Sequence, residues 1–212
     1  MIKKAKSIRL LFFAAVLLFQ ISSLASLIPY QQSWEKSANE RQSPEKVMDS
    51  IRLKPGMVIG EIGAGRGRYT VFLAERVGDS GKVYANDIDE KSLSYLEDRC
   101  QSNNIENIET ILGEVDDPLF PDNSLDMAFM VWVYHHLDEP IELLKNLRPS
   151  LKPGATLVII DPAPERGGER DSPEATTKEK LEKDGGEAGY EVIRVETFLP
   201  KDNIFILKAK RR

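Results

Sequence analysis

The sequence predicts an α/β protein with a mostly parallel sheet that is covered by helices on both faces. From about residue 44 to residue 160, short continuous apolar segments alternate with segments whose apolar residues recur at helical spacing. Two more apolar segments near the C-terminus are separated by only about five residues, too few for a parallel crossover. We therefore expect seven strands, of which the last runs antiparallel.

The elements can be placed in order along the chain. Ser43-Pro44-Glu45 has the residue types of a helix N-terminus with an N-cap at Ser43, and Lys54-Pro55-Gly56 those of a helix end. Lys152-Pro153-Gly154 is predicted to form a turn. The predicted strands cover residues 57–62, 82–86, 108–112, 125–133, 155–160, 190–198 and 204–209. The predicted helices cover 44–51, 69–77, 91–103 and 140–150, with a short one at 177–183.

Two segments interrupt this alternation. Residues 29–43 are polar and are predicted to form a linker or a lid over a site. Residues 162–186 are charged and contain several prolines and glycines. They form either a solvated loop or a flap near the strand ends, where ligands of such sheets bind.

The N-terminus has the pattern of a targeting segment. A basic head, from Lys3 to Arg9, precedes ten apolar residues, from Leu10 to Phe19, and then Ser23-Leu24-Ala25. This is the layout of a secretory signal cleaved after Ala25, and an uncleaved membrane anchor is the alternative. Either would export residues 29–212 as one domain, to the periplasm in a bacterium. A third reading is a hydrophobic tail that attaches a cytosolic protein to a membrane through residues 1–28.

Composition excludes several classes of function. The net charge is −5, and without residues 1–25, which hold four basic and no acidic residues, it becomes −9. Such an acidic domain is a poor general binder of nucleic acid. The single cysteine, Cys100, excludes an internal disulfide and a cysteine-rich metal site, and its helical spacing from Leu93 and Leu96 favours packing.

A glycine-rich loop is the main candidate site. Val58–Ile62 is apolar apart from Gly60 and Glu61, and Gly63, Gly65 and Gly67 follow at alternate positions before a predicted helix. Glycine reaches positive φ at low cost and lets a ligand approach the backbone. A strand, a glycine loop and a helix N-terminus together predict a site for a nucleotide-like ligand.

Acidic residues at the ends of three successive strands sharpen this prediction. Asp87 ends the second strand, 20 residues after Gly67, where an acid binds the hydroxyls of a ribose. Glu114 follows the third strand and can accept a hydrogen bond from an exocyclic amine such as that of adenine. Glu61 precedes the glycines, and it can orient the loop or hold a cationic group of the ligand.

With these motifs the chain resembles class I S-adenosylmethionine-dependent methyltransferases of the small-molecule type. The resemblance covers about residues 44–209, and its pieces are Glu61-Ile62-Gly63-Ala64-Gly65-Arg66-Gly67, Asp87-Ile88-Asp89, Gly113-Glu114-Val115, residues 120–126, His135-His136-Leu137 and residues 151–154. It implies a Rossmann-like three-layer sandwich whose seventh strand inserts between the fifth and the sixth. The implied cofactor is S-adenosyl-L-methionine.

The resemblance also implies roles for single residues. Gly63 and Gly65 let the cofactor approach the backbone, and Glu61 lies near its methionine end. Asp87 binds the ribose hydroxyls, Ile88 lies against the adenine and Glu114 lies at the adenine edge. Asp126 serves structure. The chain departs from the usual pattern in having Glu rather than Asp at 114, Leu rather than Phe at 125, and Ala155 in place of a second glycine.

Methyl transfer needs a base only when the acceptor atom must lose a proton. The candidates are Tyr134, His135 and His136, which follow the fourth predicted strand. We predict His135 as the base or positioning group for a small-molecule substrate, while a purely structural role of this segment stays open. The segments typical of exocyclic-amine methylation and of metal-assisted catechol methylation are absent from the sequence, and we expect no metal and no nucleic-acid substrate.

Two other functions are compatible with a nucleotide site. An NAD-binding oxidoreductase would have a glycine where Arg68 stands in the Gly-x-Gly-x-x-Gly pattern. A non-catalytic binding protein is the second alternative, because an exported domain would be separated from S-adenosylmethionine, which is made in the cytosol. The sequence does not indicate the oligomeric state.

Overall fold

The computed structural model describes residues 32–166 and 176–210 of the 212-residue chain. The chain divides into two units, Met1–Trp34 and Glu35–Arg212. The targeting segment predicted at residues 1–28 lies outside the described residues. No helix in the described ranges is both long enough and apolar enough to cross a membrane.

The second unit contains one sheet of seven strands. In chain order they are β1 (Val58–Ile62), β2 (Lys82–Asp87), β3 (Ile108–Leu112), β4 (Leu125–Val131), β5 (Leu151–Pro162), β6 (Tyr190–Glu196) and β7 (Asp202–Ala209). Their order across the sheet is β3-β2-β1-β4-β5-β7-β6. Strand β7 is antiparallel to both of its neighbours, and the other pairs are parallel. The predicted sheet, including the insertion of the seventh strand, is confirmed.

Six α-helices accompany the strands in the described part of the chain. They are α1 (Lys36–Gln42), α2 (Pro44–Ser50), α3 (Thr70–Val77), α4 (Glu90–Asn103), α5 (Pro140–Leu147) and α6 (Lys178–Ala188). Three-residue 3-10 turns also occur, including Tyr134–His136 after β4.

The core lies on both faces of the sheet, and strand β4 shows why its sequence is apolar apart from Asp126. Ala128 and Met130 belong to the cluster that contains residues of α5 and α6. Met127 and Phe129 belong to the cluster that contains residues of α2 and α3. Successive side chains of a strand point to opposite faces, so a strand buried on both faces must be apolar throughout.

Three local predictions differ from the structure. Ser43 precedes α2 as expected, but its side chain makes no capping hydrogen bond and its φ is +45°. Residues 152–154 are not a turn that precedes β5. They lie within it, in an irregularity where pairing moves from Leu125–Leu151 to Met127–Thr156. The last helix runs on to Ala188, through two glycines.

Residues 36–42 form a helix where a linker or lid is predicted. Its buried side chains are Asn39 and Gln42, and Glu35 just before it is also buried. Hydrophobic periodicity cannot identify a helix whose buried face is polar. Residues 167–175, part of the segment predicted as a loop or a flap, lie outside the described residues.

Candidate active site

The three glycines of the loop after β1 have different roles, although all have positive φ, at +70° for Gly63, +55° for Gly65 and +83° for Gly67. A Cβ at Gly63 would clash with Val133, and a Cβ at Gly67 would clash with Leu96. A Cβ at Gly65 would meet no atom within 4 Å. Gly63 and Gly67 are therefore needed for packing, whereas Gly65 leaves an open space beside the backbone, which a ligand can fill.

The structure brings Asp87 to this loop, as the sequence predicts. The backbone N–H of Gly65 donates to Oδ2 of Asp87 at 2.7 Å, and the N–H of Asp89 donates to Oδ1 at 2.9 Å. The carboxylate at the end of β2 is thereby held next to the open space at Gly65. This position suits an acceptor for ribose hydroxyls.

The ends of β2 and β3 form the next part of the site. The backbone N–H of Gly113 donates to the carbonyl oxygen of Asp87 at 3.0 Å, which places the segment carrying Glu114 beside the ribose-binding candidate. The side chain of Glu114 is exposed. Ile88 is 60% exposed, and Leu112 and Val115 are also exposed at this edge. Exposed apolar side chains at this edge can pack against the faces of a flat ring such as adenine. Of the three, only Ile88 is predicted from the sequence to do so.

Glu61 is a buried acid with a perturbed pKa. Burial raises its pKa from 4.5 to about 8, against the opposing effects of a hydrogen bond from Thr70 and of the nearby Arg68 charge. The hydroxyl of Thr70 donates to Oε2 at 2.5 Å. Without a ligand, Glu61 is therefore largely uncharged at neutral pH. A cationic group placed beside it favours the carboxylate form, so the site fits an ammonium-bearing ligand.

Arg68 connects the glycine loop to α1. Its guanidinium donates to Oδ1 of Asn39 at 3.2 Å and to Oε1 of Gln42 at 2.8 Å. Burial lowers the pKa of Arg68, and Glu61 is among the negatively charged groups that oppose this effect. The sequence singles out Arg68 only as a departure from the dinucleotide pattern, because its partners lie about 30 residues away along the chain.

Trp132 follows β4 directly and has a left-handed backbone, with φ at +59°. Its indole Nε1–H donates to Oδ1 of Asp202 at 2.9 Å. The guanidinium carbons of Arg41 and Arg68 each lie 4.9 Å from the centre of its ring system. Such a backbone costs about 1–3 kcal/mol in a bulky residue and persists where surrounding contacts hold it. The ring is therefore held in a fixed orientation between the glycine loop and β7.

His135 lies beside a buried carboxylate. Its Nδ1 is 3.1 Å from Oδ1 of Asp161, and its backbone N–H donates to Oδ2 at 3.0 Å. Asp161 lies in β5, is fully buried, and also accepts a hydrogen bond from the hydroxyl of Thr176 at 2.6 Å. A carboxylate at Nδ1 orients an imidazole and stabilises its protonated form. The structure therefore gives His135 a partner suited to a general base.

The two neighbouring candidates for the base have different surroundings. Tyr134 is buried, and its hydroxyl donates to Asp184 at 3.0 Å. Burial raises the pKa of Tyr134, which makes it a poor base near neutral pH. His136 is exposed and its ring lies 3.9 Å from that of His135, centre to centre. Tyr134 and His135 thus each lie beside a buried carboxylate, but only His135 offers an imidazole, which titrates near neutral pH in its ordinary form.

Asp126 is held in a structural role. Its carboxylate accepts hydrogen bonds from the backbone N–H of Val58 at 2.8 Å and from the Lys152 ammonium at 2.9 Å. These contacts tie the start of β1 to β4 and to the irregular segment of β5. Within residues 32–166 and 176–210, no group of three or more His, Cys, Asp or Glu side chains is arranged to hold a metal ion.

Comparisons with known proteins agree with this geometry. A family model described as a methyltransferase domain matches residues 60–159. A crystal structure of a SAM-dependent methyltransferase from Aquifex aeolicus is 32% identical, with a TM-score of 0.74 over 81% of this chain and 92% of that chain. The trans-methyltransferase CalH, solved in complex with SAH, shares the fold at 20% identity, with a TM-score of 0.63 over 78% of this chain and 55% of that chain.

Curated relatives match a shorter part. The demethylmenaquinone methyltransferase of Geobacillus stearothermophilus is 29% identical over 115 residues, which are 54% of this chain and 49% of that protein. The chain thus spans about half the length of the curated relatives it matches.

The residues present fit the cofactor that this family uses, since an open space at Gly65, a carboxylate at Asp87 and a buried acid at Glu61 surround one loop. The family assignment favours this cofactor over the dinucleotide of an oxidoreductase. The chain belongs to the S-adenosylmethionine-dependent methyltransferases.

Proposed function

We propose that the protein transfers a methyl group from S-adenosylmethionine to a small molecule whose acceptor atom loses a proton, with His135 as the base. The observation that carries this proposal is the contact between the His135 ring and the buried carboxylate of Asp161. The imidazole lies on the loop that follows β4, and the buried carboxylate lies beside it. This arrangement is expected where a base must remove a proton from the substrate.

The chemistry divides between cofactor and protein. S-adenosylmethionine, when bound, supplies an electrophilic methyl group. Asp161 accepts the backbone N–H of His135 and lies 3.1 Å from Nδ1, so that Nε2 is the ring nitrogen that takes the proton from the acceptor. Thr176 fixes the carboxylate in turn. Alignment of the acceptor can contribute about 7–11 kcal/mol of barrier reduction in such reactions.

Charge and relatives support a small acceptor. The net charge of −5 disfavours a nucleic-acid substrate. The curated relatives are named demethylmenaquinone methyltransferases, and a demethylmenaquinone is a small molecule. We propose an acceptor of that general size, with a hydroxyl or an acidic C–H or N–H group.

Mass-shift screening tests this proposal. The purified full chain is incubated with S-adenosylmethionine and a metabolite extract, and products heavier by one methylene are identified. We expect a product with the wild type and with His136→Gln, and at most about one-hundredth of it with His135→Gln, since a general base contributes about 10²–10⁴-fold. All three proteins should bind S-adenosylhomocysteine equally in calorimetry. Equal product from His135→Gln and His136→Gln would exclude His135 as the base.

We also propose, from the sequence pattern alone, that residues 1–28 direct the domain across a membrane. A fusion to a reporter that is active only after export tests this. Activity of the reporter behind residues 1–35, and its loss when Leu10–Phe19 is interrupted by two arginines, is the expected result. An inactive fusion would leave a membrane-attached cytosolic protein as the better description.

A further inference from the structure

Residues 35–42, named here the strap, are fastened at their beginning to the glycine loop. Glu35 and Arg99 form an ion pair at 2.8 Å in which both side chains are almost completely buried. The same guanidinium donates to the carbonyl oxygens of Arg66 and Gly67, each at 3.1 Å. The start of the strap therefore cannot move without breaking contacts to the loop that cradles the cofactor.

The end of the strap is fastened to the opposite side of the site. Arg41 donates to both carboxylate oxygens of Asp202, at 2.5 Å and 2.9 Å. Asp202 is fully buried at the start of β7, and it also accepts the indole N–H of Trp132. Trp132 begins the loop that carries His135. Arg41 thus joins the strap to the acceptor side of the site.

Arg68 holds the strap at two further points, Asn39 between these attachments and Gln42 at its last residue. It also lies against the Trp132 ring and interacts electrostatically with Glu61. The strap consequently crosses the carboxyl edge of the sheet, from the loop after β1 to the start of β7. In the strand order, the loop with His135, which follows β4, lies between these two attachments, and the glycine loop of the cofactor cradle is itself one of them.

We propose that the strap closes over the methyl-donor site and that Arg41, Asp202 and Trp132 are its latch, so that opening of the latch limits exchange of the cofactor. Two features ease opening. Among the described residues, neither amide nitrogen of Asn39 and Gln42 has a hydrogen-bond partner, although both are buried, and opening exposes them to water. Ser43, with its left-handed backbone, joins the strap to α2 and is the hinge. The inference rests on the cofactor assignment and not on the acceptor or on His135.

Exchange of S-adenosylhomocysteine tests the latch in the full-length protein. Arg41→Gln removes a charged, two-pronged contact at a partly exposed position, and Arg41→Lys keeps the charge. Arg76→Gln is the matched control, because Arg76 pairs with Glu45 and Asp49 away from the strap. Dissociation is measured with tritiated S-adenosylhomocysteine chased by excess unlabelled compound, and affinity by calorimetry.

A ligand that enters and leaves only through an open state gains speed in both directions when that state becomes more populated. We expect Arg41→Gln to raise the association and dissociation rates on the order of tenfold, with the Kd changed by less than about threefold, and Arg41→Lys to lie between it and the wild type. In a Trp34→Phe background, which leaves Trp132 as the only tryptophan, Arg41→Gln should also increase quenching of its fluorescence by acrylamide.

Other outcomes overturn the strap in distinguishable ways. Rates for Arg41→Gln equal to those for Arg76→Gln would show that the latch does not limit exchange. A larger Kd with an unchanged association rate and unchanged quenching of the Trp132 fluorescence would show that Arg41 only stabilises the bound ligand. A wild-type protein that binds no S-adenosylhomocysteine would overturn the cofactor assignment, and with it the strap.

Discussion

Replacement of Glu61 by glutamine should stabilise the ligand-free protein at alkaline pH. The carboxyl group of Glu61 has a pKa of about 8 in the folded protein, against an ordinary value of 4.5. Between these values the folded state holds a proton that the unfolded state releases. The contribution of Glu61 to the unfolding free energy therefore has its full value below pH 4.5. It decreases as the pH rises to about 8 and stays at its reduced level above that.

The size of the effect follows from the pKa shift. One pKa unit corresponds to 1.36 kcal/mol, so between pH 5 and pH 9 the wild type should lose about 4 kcal/mol of unfolding free energy through Glu61 alone. Glutamine has nearly the same shape, cannot ionise, and can still accept the hydrogen bond from Thr70. Its unfolding free energy should lack this component of the pH dependence.

Urea denaturation at pH 5, 7 and 9 measures the difference. Other titrating groups are common to both proteins, so subtraction of the two pH profiles isolates Glu61. The exposed Glu191→Gln on β6 serves as the control and should follow the wild type. Profiles of Glu61→Gln and wild type that stay parallel from pH 5 to pH 9 would refute the raised pKa, and with it the description of Glu61 as an uncharged buried acid.

Three further predictions concern the loop and the strap. Gly65→Ala should weaken S-adenosylhomocysteine binding more than tenfold in calorimetry, because its Cβ enters the open space, whereas Gly63→Ala should mainly lower the unfolding free energy, by about 1–3 kcal/mol, because its Cβ meets packed atoms; the reverse pattern would contradict the separate roles. Asp87→Asn should weaken the same binding about 10- to 100-fold, and unchanged affinity would remove Asp87 from the ribose site. Glu35→Gln should cost about 3–5 kcal/mol of unfolding free energy because it removes a carboxylate that pairs with a buried guanidinium, against less than about 1 kcal/mol for the exposed Glu45→Gln; equal losses would show that the buried pair is unimportant.

Most of the sheet and the cofactor loop could be predicted from the sequence, because both depend on local patterns. Strand β4 is apolar over its whole length except at Asp126, since it is buried on both faces. The number of residues between the glycines and Asp87 is set by one strand-helix-strand unit, so it can be recognised in the sequence. Gly65 and Asp87 accordingly lie together, as predicted.

The strap could not be predicted from the sequence, because it is held by tertiary contacts rather than by a local sequence pattern. Its buried side chains are polar, and the partners of its side chains lie far away in sequence, such as Arg68 for Gln42 and Asp202 for Arg41. The partner of His135 is hidden for the same reason. Asp161 lies 26 residues further along the chain, at the end of a strand where an acid has many ordinary roles. Only the sheet order, which places β4 beside β5, brings the two together.

The place of β7 in the sheet has a consequence for how the protein is made. This strand is synthesised after the other six strands of the sheet, yet it lies between β5 and β6. Strand β6 therefore cannot join the sheet through its native partner until the chain has been translated beyond residue 202. The same late segment supplies Asp202 to Arg41 and Trp132. A nascent chain therefore cannot close its latch early, and the acceptor side of the site is completed only after Asp202 has been translated.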